Sequence, residues 1–82
     1  MKNPIVKIRK SYNLTKKEFA NLSGVSYDTL SRNEVGLVQQ PHKKILKALE
    51  ELGHDPEKIR SDYKKYKENL QKKALQKGKK GN

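Results

Sequence analysis

Apolar residues recur along this chain at spacings of three and four, the period of an α-helix. Nowhere do they alternate with polar residues for long enough to predict a strand. Ile5, Ile8 and Tyr12 mark a first helix. Asn3-Pro4 suits its start, because asparagine caps a helix well and proline fits the first helical position, where the N–H has no partner. Asn13 is placed to end it in a left-handed turn. Phe19, Ala20 and Leu22 predict the apolar face of a second helix over about 16–23. Thr15, followed three residues later by Glu18, is a capping-box signature for its start. Ser23-Gly24 closes that helix, and Ser26 opens a third that reaches residue 35. In the third, Val25, Leu30 and Val35 are expected inside, with Tyr27, Asp28, Thr29, Ser31, Arg32 and Asn33 outside. Pro41 is expected to begin a fourth helix with Ile45, Leu46, Leu49 and Leu52 on one side, ended by Gly53-His54-Asp55-Pro56. A fifth starts at Pro56 and carries the stripe Ile59, Tyr63, Tyr66 and Leu70. Residues 76–82 have no apolar support and are expected to be disordered. The pattern predicts an all-α protein, a compact bundle of about five short helices. Residues 1–60 form the domain and 61–82 a basic C-terminal extension.

Composition narrows the picture. With 82 residues, 32% of them hydrophobic, the chain has material for one small core. No run is apolar enough to span a membrane, and no secretory pattern opens the sequence, so a cytoplasmic location is expected. Cysteine is absent, which excludes disulfides and thiolate zinc sites. His42 and His54 have no acidic or thiol partner at ligand spacing and read as surface residues, so no metal and no cofactor is expected. No nucleophile–base set, glycine-rich phosphate loop or paired catalytic carboxylates suggests an enzyme. The charge is informative. Lys and Arg number 20 against 9 Asp and Glu, a net charge of +11, and residues 61–82 hold eight lysines against Asp62 and Glu68. Such an excess favours a polyanionic partner, nucleic acid first and an acidic membrane surface second.

Residues 15–36 sharpen that expectation. Two short helices joined by a tight turn, the second with a polar outer face, have the build of a helix-turn-helix that enters the major groove of DNA. Leu14, Thr15, Glu18, Ala20, Ser23, Gly24, Val25, Ser26, Thr29, Ser31, Glu34 and Gly36 fall into one motif, with Phe19 and Leu30 as conservative replacements. On these residues the chain resembles the Cro/cI-type (XRE-type) helix-turn-helix regulators. The similarity extends from about residue 4 to 59, through Ile8-Arg9, Pro41, Ile45, Leu46, Ala48, Leu49 and Gly53. Lys16 stands where the family often has Gln, Asn33 where an apolar or aromatic residue is usual, and Val35 where a polar one is common. The resemblance implies a lambda-repressor-like fold and sequence-specific binding of double-stranded DNA by a small transcriptional regulator. A phage or mobile-element repressor acting as a dimer fits best. It also implies a structural ion pair between Arg9 and Glu34.

The candidate residues divide by chemistry. Tyr27, Asp28, Thr29, Ser31 and Arg32 are expected to read bases. Arginine donates two bonds to guanine O6 and N7, worth about 1–3 kcal/mol of discrimination. Aspartate accepts from cytosine N4 and is repelled by phosphate. Lys16, Lys17, Ser26, Gln40 and Lys43 are expected at the DNA backbone. Lys16 and Ser26 sit at helix N-termini that already favour anions, and Gln40 and Lys43 match positions that grip the backbone in the resembled family. The alternative for each lysine is an ordinary solvated face. For Ile59, Tyr63, Tyr66 and Leu70 three readings stand open: a lid on the core, a homodimer or protein-partner face, or a basic helix lying on a membrane. Two other functions stay open with them. One is the antitoxin of a toxin–antitoxin pair that autoregulates its promoter, and the other a protein–protein adapter built on the same fold.

Overall fold

Five helices build the protein in its computed structural model, which describes the backbone of residues 2–80 and the side chains of residues 2–73. They are α1 (Pro4–Ser11), α2 (Lys16–Ser23), α3 (Tyr27–Val35), α4 (Lys43–Glu51) and α5 (Pro56–Lys80), with no strand among the described residues. The helix starts follow the local chemistry. The Asn3 side chain accepts from the Ile5 N–H with Pro4 beside it, Thr15 and Glu18 form the reciprocal capping box, and Ser26 accepts from the Thr29 N–H. Asn13 adopts φ 57°, and Gly24 φ 74° turns the chain between α2 and α3.

The capping box predicts a pH effect. Thr15, through its backbone N–H first and its hydroxyl second, holds the exposed Glu18 carboxyl below its ordinary value of 4.5. A depressed carboxylate stabilises the fold above the unfolded-state value and loses that contribution as pH falls through the folded one. Glu18→Gln retains a capping acceptor without a titrating group. Thermal melts of the two proteins between neutral and acidic pH should show a steeper acid loss in the wild type. Parallel curves would show that the box does not titrate.

Ile5, Phe19, Ala20, Leu30, Ile45, Leu46, Ala48, Leu49, Ile59 and Tyr63 form one buried cluster, drawing on all five helices. Several expectations give way here. Leu22 and Val35 are exposed. Helix 3.6-fold geometry puts Val35 on the side of Asp28 and Arg32, opposite Leu30. Asn33, expected outside, is 1% exposed, since its place three residues after Leu30 carries it inward. Helix α4 begins at Lys43, with His42 as its cap; Pro41 precedes the cap.

For two stripe residues the structure selects the lid on the core among the open readings. Ile59 and Tyr63 belong to the core and are unavailable to a partner. Four short helices leave one side of the cluster open, and α5 covers it. The Tyr63 hydroxyl donates to the Val38 carbonyl at 2.8 Å. Burial, then the neighbouring Tyr66, push the phenol above its ordinary 10.0, so it remains a protonated donor. Helix α5 runs to Lys80, so residues 76–80, expected to be disordered, are helical. Gln76, Lys77, Lys79 and Lys80 are good helix formers that extend a helix already long, which outweighs the missing apolar support and the cost of Gly78. Gly81 and Asn82, the rest of that expectation, lie outside the described residues.

Candidate nucleic-acid interface

Helix α3 is held from behind at several points, which leaves its outer face free. From α1, the Arg9 guanidinium grips Glu34 with two bonds, Nε to Oε2 at 2.7 Å and Nη2 to Oε1 at 3.1 Å. Arg9 also donates to the Leu14 carbonyl at 2.8 Å, which ties the entry to α2 into the same knot. Asn3 caps two helices at once. Its Oδ1 accepts from the start of α1, and its Nδ2 donates to the carbonyls of Asn33 and Glu34 at 2.8 and 2.9 Å. Those carbonyls belong to the last turn of α3, where helical partners run out.

The side chain of Asn33 couples α3 to the loop that follows it. Its Nδ2 donates to the Thr29 carbonyl at 2.8 Å, and its Oδ1 accepts the His42 N–H at 2.8 Å. In a buried amide with partners on both ends, the hydrogen bonds offset the cost of desolvation and fix a geometry. From α5, Lys67 Nζ donates to the Gly36 carbonyl at 2.9 Å. Gly36 has φ 81°, and a Cβ there would meet Leu70 Cδ1 at 3.0 Å and Tyr66 Cε2 at 3.1 Å. Both the left-handed backbone and the close approach of α5 demand glycine.

On the outer face, Tyr27 is 56% exposed. Asp28 and Arg32 are also exposed and pair along the helix, Arg32 Nε to Asp28 Oδ2 at 3.0 Å. An exposed pair of this spacing contributes only about 0.3–0.5 kcal/mol, so either group is free to turn to another partner. Thr29 lies half-buried at the edge of the face, and its hydroxyl oxygen accepts from the Ser26 hydroxyl at 2.9 Å. Ser31 departs from its expected role. Its Oγ is buried and has no hydrogen-bond partner among the described residues.

The residues expected at the DNA backbone lie at the starts of α2, α3 and α4 and in the loop before α4. Lys16 and Lys43 are the first residues of α2 and α4, and Lys17, Gln40 and Lys43 are exposed. The Ser26 hydroxyl is engaged in the α3 cap. Gln40 lines a shallow depression with Thr29, Arg32, Asn33, Val38 and His42, which joins the loop to the outer face of α3. The capping of α1 by Asn3 was legible in the sequence, but its bonds to the end of α3 and the roles of Asn33 and Lys67 were missed. Helical phase alone could have placed Asn33 inside; Asn3 and Lys67 act across about thirty residues and leave no local signal.

The sequence model of the helix-turn-helix family, in its Cro/C1-type (XRE) form, matches residues 5–52. The chain belongs to that family. This Cro/C1-type protein is therefore a DNA-binding transcriptional regulator, in a family of regulators rather than enzymes. The match covers α1 through α4 and ends before α5. No curated protein and no solved structure matches the chain. Among the described residues, no helix of this Cro/C1-type protein is long and apolar enough to cross a membrane, and no group of three potential ligands gathers to hold a metal ion.

Proposed function

We propose that the protein is a repressor of the phage or mobile-element kind, working in the cytoplasm and binding an operator as a homodimer. The observation that carries this reading is a polar helix braced from three sides with Tyr27, Asp28 and Arg32 facing outward. A rigid reader loses little conformational entropy on docking, and a free Arg–Asp pair supplies both donors and an acceptor for base edges. Arg32 reads guanine, Asp28 accepts from cytosine, and Thr29 and Tyr27 complete the contact. Lys16, Lys17, Gln40 and Lys43 hold the phosphates and set the register. The dimer is supported by exposed apolar groups at the end of α3. Val35 and Leu37 flank Gly36, against which Tyr66 and Leu70 pack, and Leu37 is 73% exposed. A two-fold contact there would cover side chains that water now meets. Repression follows from occupancy, as two copies of α3 in successive major grooves exclude other proteins.

Selection of bound sequences from a random duplex pool at near-physiological salt tests the proposal. An inverted repeat with half-sites about 34–36 Å apart is expected. Absence of any sequence enrichment would overturn it. The contact types separate in single variants. Lys43→Ala should weaken binding to all sequences alike and lower the slope of log affinity against log salt by about one. Arg32→Ala should erase discrimination at one base pair, by about 1–3 kcal/mol, with little change for random DNA. Equal losses on selected and random duplexes in both variants would refute that division.

A further inference from the structure

The loop between α3 and α4 has a second side, away from the reader. There Gln39 and Gln40 face Arg60, Ser61 and Lys64 of α5 across an open groove of about 440 Å³, floored by Pro41 and Tyr63. Gln40 lines both this groove and the depression beside Arg32. Arg60 also lines a neighbouring groove with Lys43 and Lys47 of α4. A cationic surface thus leads from the reader face, over the start of α4, onto one side of α5.

We propose that this groove is a second DNA-backbone site, in which Arg60 and Lys64 hold phosphates outside those met by Gln40 and Lys43. The inference rests on α3 being the DNA-reading face. No acidic side chain lines the groove. Glu50 borders its neighbour, and Glu57 and Glu68 lie a turn before and beyond the pair on α5. None of them engages Arg60 or Lys64, since the ion pairs among the described residues are Arg9–Glu34 and Arg32–Asp28. The opposite side of α5 differs. The groove against α1 mixes Lys7 and Lys58 with Asp55 and Asp62. Unopposed positive charge is therefore gathered on the side that is continuous with the reader.

Arg60 and Lys64 stand one turn apart, about 6 Å along the helix. Phosphates of one DNA strand recur about every 3.4 Å along the duplex axis, so the two cations reach separate phosphates. Ser61, between them, adds a neutral donor. Helix α5 packs against Gly36 and Val38 at the exit of α3, so this arm is fixed relative to the reader. It extends the footprint without reading sequence.

Two charge-matched double variants of the full chain provide the test, Arg60→Gln/Lys64→Gln and Lys7→Gln/Lys58→Gln. All four residues are exposed, so both proteins should melt like the wild type. Affinity is measured against salt on a selected duplex and on a random-sequence duplex of equal length. The first variant is expected to lower the slope by about 1.8 on both, at about 0.9 per phosphate released. The second should leave it unchanged, and hydroxyl-radical footprints of the first should lose protection at the outer edge of each half-site. Equal slope changes in the two variants, or none in the first, would overturn the groove site. A wild type that binds both duplexes equally would instead strike the α3 reading, and the slope comparison on random DNA would still decide the groove.

Discussion

Glu34→Ala should lower folding stability by about 3–5 kcal/mol, the usual loss when one partner of a buried ion pair is removed. The side chains of Arg9 and Glu34 are 9% and 2% exposed. Without Glu34, the guanidinium keeps one bond, to the Leu14 carbonyl, and is left as a nearly dry charge. A domain of this size has a total stability of roughly 5–15 kcal/mol, so the loss takes a large share. Urea unfolding followed by circular dichroism measures it directly. The double variant Arg9→Met/Glu34→Leu is expected to recover much of the deficit, because apolar replacements of similar volume avoid the stranded charge. A single variant that melts within about 0.5 kcal/mol of the wild type, the range of ordinary surface changes, would show that water solvates the pair. Since Glu34 lies on the reader helix, the pair also explains how α1 governs the aim of residues it never touches.

The second large effect is expected in α5. Tyr63→Ala should cost about 3–5 kcal/mol, as large aromatic truncations in a core do. It opens a cavity beneath α5 and leaves the Val38 carbonyl without its donor. Tyr63→Phe keeps the packing and removes one hydrogen bond, so a loss near 1 kcal/mol is expected. The two variants separate packing from tethering. Tyr63→Phe should retain the fold while loosening residues 36–42, read as faster amide exchange in that loop. Unchanged exchange would show that the loop is held by Asn33 and Lys67 without Tyr63. If Tyr63→Ala unfolded no more easily than Tyr63→Phe, α5 would be an accessory to a core completed by α1–α4. The family match ends at residue 52, so this experiment also asks whether the matched segment is sufficient to fold.

The local features of the fold were legible because each rests on chemistry within a few residues. Asn3-Pro4, Thr15 with Glu18, Ser26, Asn13 and Gly24 all took the backbone states that their side chains favour. The outward placement of Tyr27, Asp28 and Arg32 followed from helical phase. Phase also argued for Asn33 inside, but its polarity pointed the other way, and a polar side chain is buried when partners await it. Those partners, the Thr29 carbonyl and the His42 N–H, include one from a separate loop. The exposure of Leu22 and Val35 has the converse origin, because apolar character does not place a side chain that no neighbouring helix covers.

The stripe on α5 shows the same division. Spacing placed Ile59, Tyr63, Tyr66 and Leu70 on one face of a helix, whether that face met the core, a partner or a membrane. Packing assigned Ile59 and Tyr63 to the core, while Tyr66 and Leu70 reached Gly36. By itself the sequence determined five helices, their caps, the turn at Gly24, the basic charge and the reader motif, since these depend on neighbours in the chain. The family resemblance also anticipated the Arg9–Glu34 pair, whereas only the tertiary structure decided that Asn3 and Lys67 converge on α3 and that Arg60 and Lys64 continue the reader's surface. The bonds of Asn3 and Lys67 join residues about thirty positions apart, and long-range order is set by how whole helices pack rather than by any local preference.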